Sequence, residues 1–241
     1  MRMWAFAKRN TQELLRDPLN LSFLLGFPLA LLLLLSAIQA NIPVALFEIQ
    51  HLSPGITVFG LSFVSLFSAT IIAKDRGSAL LQRLYTTPMK AADFILGYTL
   101  PLIPISMGQC LVCYMAALAL GLPFSVNIFL SVLMGMPISL LYVAIGLLCG
   151  SCLNDKQVGG VCGALLTNVS AWLSGIWFDL ELVGGAFQKI SYALPFVHAV
   201  ELQRSVLSGH IVWSHLWWVL GYAMVLLTGA ILLFLRQMKK Q

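Results

Sequence analysis

A chain of 241 residues that is 59% hydrophobic and only 10% charged, with a mean hydropathy of +0.91, lies far from the roughly one-quarter charged content of a soluble globular domain. Its net charge of +5 and pI near 9.1 read as contact with anionic lipid rather than with nucleic acid. Crossing ~30 Å of hydrocarbon at about 1.5 Å per residue leaves room for about six spans and little for a soluble domain.

Residues 1–18 open with MRMWAFAKRNTQELLRDP, which predicts a helix lying in the membrane interface. Trp4 and Phe6 would dip into the headgroup region while Lys8, Arg9 and Arg16 meet anionic lipid. Pro18 ends this helix and restarts the chain as the first span. The apolar run that follows is too long for the core of a cleaved signal peptide. Uncharged apolar stretches then predict spans at 19–40, 54–73, 94–120, 127–153, 160–178 and 214–235. They lack the alternation of a barrel, so each must satisfy its backbone internally as a helix. The expected fold class is therefore an all-α integral membrane protein with six transmembrane helices. The third and fourth spans divide a single tract, 94–153, that holds no Asp, Glu, Lys or Arg. The division falls at GLPFSVN, where Gly121, Pro123 and Asn127 supply turn chemistry.

Between the second and third spans stands AKDRGSALLQRLYTTPMKAADF, residues 73–94. Its spacing predicts a short helix with Leu80, Leu81, Leu84 and Tyr85 on one face and Arg76 and Arg83 on another. Pro88 ends it, and Asp93 caps the next span. Such a helix suits a mechanical contact with a protein socket, whereas the alternative is a solvated loop that only fixes orientation.

Arg2, Lys8, Arg9, Arg16, Lys74, Arg76, Arg83, Lys90, Lys156, Arg236, Lys239 and Lys240 fall on one side of a six-span arrangement. Only Lys189 and Arg204 fall on the other. This bias assigns both termini and the segment 74–90 to the cytoplasm. On the outer side, 179–213 is long for a loop and contains helix-like pieces at 184–194 and 196–208, divided by Pro195. Trp177, Trp213, Trp217 and Trp218 border it, where indoles favour the headgroup zone. The four histidines, His51, His198, His210 and His215, fall on this side with spacings that match no ligand motif, so they read as solvated or interfacial. Cys110 with Cys113, and Cys149 with Cys152, have zinc-like spacing but sit in apolar spans, where cysteine packs as a small hydrophobe and no metal is expected.

No GxxxxGK[ST] occurs, so nucleotide binding by a P-loop is excluded. The spans also lack the carboxylates, lysines or arginines of a proton relay. Energy must then come from elsewhere.

The stretch 73–97 resembles the coupling-helix region of ABC-2 type permeases of ABC exporters, through Arg76, Gly77, Ser78, Leu84, Thr87, Pro88, Leu96 and Gly97. Lys74-Asp75 and Gln82 stand where that family commonly has glutamates. Arg16-Asp17-Pro18 is similar to the family's N-terminal R-D-P. Between the last two spans, Ser174-Gly175-Ile176, Phe178, Leu194-Pro195, Arg204 and Gly209 resemble the corresponding segment of the same family.

The resemblance implies two six-span subunits, as a homodimer or with a paralogue, each receiving a separate cytoplasmic ABC ATPase. ATP and Mg would be bound by that partner and no cofactor by this chain. Arg76, Gly77, Leu80, Leu81, Arg83, Leu84, Thr87 and Pro88 would seat in the ATPase, with the interfacial helix as a second contact. The second and fifth spans would line the pathway, suggesting Phe59, Phe63, Phe67, Asn168 and Trp172. Gly175, Pro195 and Arg204 would belong to an outer gate built from re-entrant helices. The rival readings are a non-transporting membrane scaffold and an ion-coupled carrier.

Overall fold

The structure, a computed structural model, describes residues 2–42, 47–78 and 91–238. Among them there is no strand, in line with the all-helical expectation. Helix α1 (Arg2–Leu15) is followed by α2 (Pro18–Gln39), which contains a π-helical turn at Ser22–Gly26. Next come α3 (Ile49–Gly77), α4 (Ala91–Ala119) and α5 (Val126–Cys152). A continuous helical run over 155–172, here α6, carries a π-helical stretch at Gly159–Leu166. Three short helices, α7 (Leu180–Val183), α8 (Gly185–Ala193) and α9 (Pro195–Leu207), precede α10 (Trp213–Met238).

Local chemistry sets the boundaries. Pro18 occupies the first turn of α2, where its missing N–H costs nothing, and the Asp17 carboxylate accepts from the Asn20 amide at 3.2 Å. Gly121, at φ +102°, makes the turn out of α4 that a Cβ would oppose. Pro195 opens α9 in the same manner as Pro18 opens α2.

Among the described residues, five helices are long and apolar enough to cross a bilayer: Pro18–Gln39, Ile49–Gly77, Ala92–Ala119, Val126–Cys152 and Trp213–Arg236. The segment expected at 160–178 differs. Its helix begins earlier, at Asp155, and stops at Trp172, where the chain enters turns with Gly175 at φ +71°. Starting among Asp155, Lys156 and Gln157 dilutes its apolar character, and it is not one of the five.

Helix α3 is the axis of the bundle. Within its most apolar window 89% is buried, against 17% for α2 and 22% for α10. It lies closest to α5 along small residues. A Cβ added at Gly146 would stand 2.5 Å from the Ser65 carbonyl oxygen, and one at Gly150 would stand 2.7 Å from that of Ala69. Ser68 Oγ donates to the Val143 carbonyl at 3.3 Å along the same seam. In lipid, where apolar burial gives helices little reason to associate, such close backbone approach is what packing can offer. Cys110 and Cys113 are buried in α4, with Cys110 lying under Gly135 of α5.

Candidate functional site

The most polar arrangement inside the bundle gathers α1, the end of α3 and the start of α4. Asp75, at 2% exposure, receives both guanidinium nitrogens of Arg9, Nη1 on Oδ2 at 2.7 Å and Nη2 on Oδ1 at 2.8 Å. The Tyr98 hydroxyl donates a third bond to Oδ2 at 2.9 Å. A two-pronged guanidinium–carboxylate contact is strong and directional, and it satisfies a charge that could not otherwise stay buried. Its hydrogen bond to Asp75 pushes the Arg9 pKa above its ordinary value, outweighing the opposing effect of burial. Arg9 also pairs with Glu13 one turn on, at 2.6 Å. Beside it, buried Asn10 donates to the Gly97 carbonyl at 3.0 Å.

Apolar contacts complete the clamp. Phe6 is buried edge-on against Tyr98, with ring centres 4.9 Å apart, and against Phe94 at 5.9 Å. It lies so near Gly97 that a side chain at that position would have to displace the Phe6 ring. Two sequence expectations are corrected here. Arg9 turns inward to Asp75 rather than toward lipid, and Phe6 packs on protein rather than in the headgroup zone. The reason is α1's docking on α4, which turns that face of the helix away from solvent. Trp4, Lys8 and Arg16 remain exposed. Where α1 gives way to α2, a cleft of about 490 Å³ is lined by Arg9, Gln12, Glu13, Arg16, Asp17 and Pro18.

One residue beyond Asp75, Arg76 donates from Nη1 to the carbonyls of Gly150 at 2.7 Å and Leu153 at 3.4 Å. These carbonyls lie at the end of α5, which a cation satisfies and whose helix dipole it favours. Arg76 and Gly77 thus lie in the last turn of α3, which continues past the expected end at 73. Among the described residues, no atom stands within 4 Å of a Cβ placed at Gly77. Leu80, Leu81, Arg83, Leu84, Thr87 and Pro88 lie outside the described residues.

The residues expected to line a pathway divide into two groups. Phe59 and Phe63 are buried and pack together at 5.5 Å, with Phe27 of α2 against both and Trp177 against Phe59 at 6.0 Å. Phe67 is buried on the same helix. Within one chain this stripe therefore joins helices together. Asn168 and Trp172 instead share an exposed face of α6 with Gly160 and Ala164, each four residues apart. The Asn168 amide donates back to the Ala164 carbonyl at 2.8 Å.

At the opposite end of the bundle, Arg204 joins Glu201 at 2.9 Å and donates to the Gly175 carbonyl at 3.1 Å. Arg204 and Gly175 are thus brought together, while Pro195 is buried at the other end of α9. Of the four histidines expected to be solvated or interfacial, His198 is instead buried within the protein. His198 and His215 meet with their Nδ1 atoms 2.8 Å apart, because α9 folds back on the start of α10.

The GLLCG run at 146–150 was a readable signal of close helix approach that charge and hydropathy alone pass over. The Arg9–Asp75 pair carried no such signal, since 66 residues separate its members.

A polytopic helical bundle with a polar clamp at one end and short helices at the other is a multi-pass membrane protein. Residues 1–208 match the profile of the ABC-2 type transporter family, and the chain belongs to that family. It is accordingly a transmembrane permease of an ABC transporter rather than a catalytic domain. No curated protein matches the chain.

Proposed function

We propose that this permease is the membrane half of an exporter, paired with a second permease copy in the bacterial inner membrane and driven by a separate cytoplasmic ABC ATPase. The reading gives the chain six crossings, with α6 as the fifth and both termini in the cytoplasm. The ATPase would hold ATP and Mg, and it would seat on the segment 78–90 between α3 and α4.

The observation that carries this reading is the clamp. Asp75 and Arg76 stand at the end of α3, immediately before the proposed contact, and they engage α1, α4 and α5. A push delivered there would reach four helices together. The exposed stripe of α6, with small Gly160 and Ala164 followed by Asn168 and Trp172, suits the pathway side of a second copy. Lys8 and Arg16 are exposed, in position to meet anionic headgroups.

The test uses Gly77→Cys in full-length protein, with Cys152 replaced by Ser. A bifunctional thiol reagent should join the introduced thiol to the ATPase in membranes, and trapping the ATPase closed should change the yield. Substrate uptake into inside-out vesicles should require ATP hydrolysis. Uptake that persists with a hydrolysis-dead ATPase and follows a proton gradient would overturn the reading in favour of a carrier.

A further inference from the structure

We propose that His198 and His215 form a proton-operated catch, holding α9 to the start of α10 while at least one ring remains neutral and releasing it when both carry an extra proton. The catch lies at the opposite end of the bundle from the Arg9–Asp75 clamp and does not rest on the transport reading.

The tautomers follow from the partners. Two ring nitrogens 2.8 Å apart need one N–H and one lone pair between them. His198 Nε2 lies 3.0 Å from the Tyr192 carbonyl oxygen, which can only accept, so Nε2 carries a hydrogen. Neutral His198 therefore presents a lone pair at Nδ1, and His215 Nδ1–H donates to it. A first added proton can reside on His215 Nε2 and leave this bond intact. A second has only His198 Nδ1 to occupy. Two N–H groups would then face each other, and two positive rings would meet with centres 5.1 Å apart.

The surroundings make the pair a joint between elements. Trp218 of α10 stacks on His198 at 4.8 Å and 17°, and Tyr222 stacks behind Trp218 at 6.0 Å. The Tyr222 hydroxyl donates to the Ala193 carbonyl of α8 at 2.6 Å. Tyr192 of α8 stands edge-on to His198 at 6.3 Å. Glu201, itself bound by Arg204, favours protonation of His198, while His215 opposes it. Among the described residues, the long helices α3 and α5 packed on α9 bring no charged group to bear on His198.

Burial is the largest influence on His198 and holds its pKa below the ordinary histidine range. The sign is that of a depressed group. Contact stability is fully present above the unfolded value, about 6.5, and is lost as pH falls through the lower folded value.

The experiment is hydrogen exchange of the full-length protein in lipid between pH 8 and pH 4.5, comparing peptides from 185–207 with peptides from 126–152 in the same digest. That ratio cancels the intrinsic pH dependence of exchange. In the wild type, protection of 185–207 should fall about tenfold relative to α5 on acidification, the worth of one charge-linked hydrogen bond. In His215→Phe the ratio should be low at every pH, with no acid step. In His215→Gln, which keeps an N–H donor that does not titrate, protection should be restored at pH 8 and should be lost at a higher pH than in the wild type. A flat wild-type ratio, or an acid step unchanged in both variants, would overturn the catch.

Discussion

Asp75 has both carboxylate oxygens occupied by Arg9 and accepts a third hydrogen bond from Tyr98. Removing its charge leaves the guanidinium poorly matched at a partly buried position. Asp75→Asn should destabilise the protein by about 1.5–3 kcal/mol, and Tyr98→Phe, which removes one donor to the same carboxylate, should cost about 1.5 kcal/mol, the low end of that range. Thermal unfolding in detergent gives the two values. A cycle combining Asp75→Asn with Arg9→Gln should show the two changes to be non-additive, since each already breaks the same contact. At this scale the sequence was least legible. Hydropathy treated Arg9 as one basic residue among several at a membrane surface. Only the folded chain brings it to a carboxylate 66 positions away.

Helices were far easier to read than their contacts. Long uncharged runs located α2, α3, α4, α5 and α10, because in hydrocarbon a backbone has almost no alternative to a helix. Turn residues located the break between α4 and α5 for an equally local reason. The end of α6 escaped, since hydropathy alone cannot see a helix stop while its apolar composition continues through Ile176 and Trp177. How elements approach each other is a matter of shape, and there the glycines of α5 decide. Gly146→Val and Gly150→Val should each destabilise by about 1–3 kcal/mol, because the added carbons meet the α3 backbone rather than a flexible side chain. Gly108→Val is the control, as nothing among the described residues lies within 4 Å of its Cβ position. Its unfolding temperature should stay near that of the wild type, while those of the two seam variants fall.

Over the whole molecule, the two ends of the bundle are chemically unlike. One gathers Arg9, Asp75 and Arg76 around helix ends, and the other gathers imidazoles and indoles around short helices. Counting basic residues along the chain also expects two unlike ends, although such a count cannot see the contacts within either of them. The proposed orientation puts the Arg76 end in the cytoplasm. Cys152 is exposed at that end, so a membrane-impermeant maleimide should label it in inside-out vesicles and not in intact cells. Labelling from outside alone would reverse the assignment.

The concealment of Asp75 also bears on how the N-terminal segment behaves when ionic strength changes. Mobile ions cannot easily reach a carboxylate at 2% exposure, although the Debye length shrinks from about 8 Å in physiological saline to about 3 Å at 1 M. The looser contact of Lys74 Nζ with Asp17, 3.9 Å apart and partly solvated, has no such protection. Concentrated brine should therefore rinse away partners that cling by surface charge alone, while protease still finds residues 2–15 fastened to the bundle.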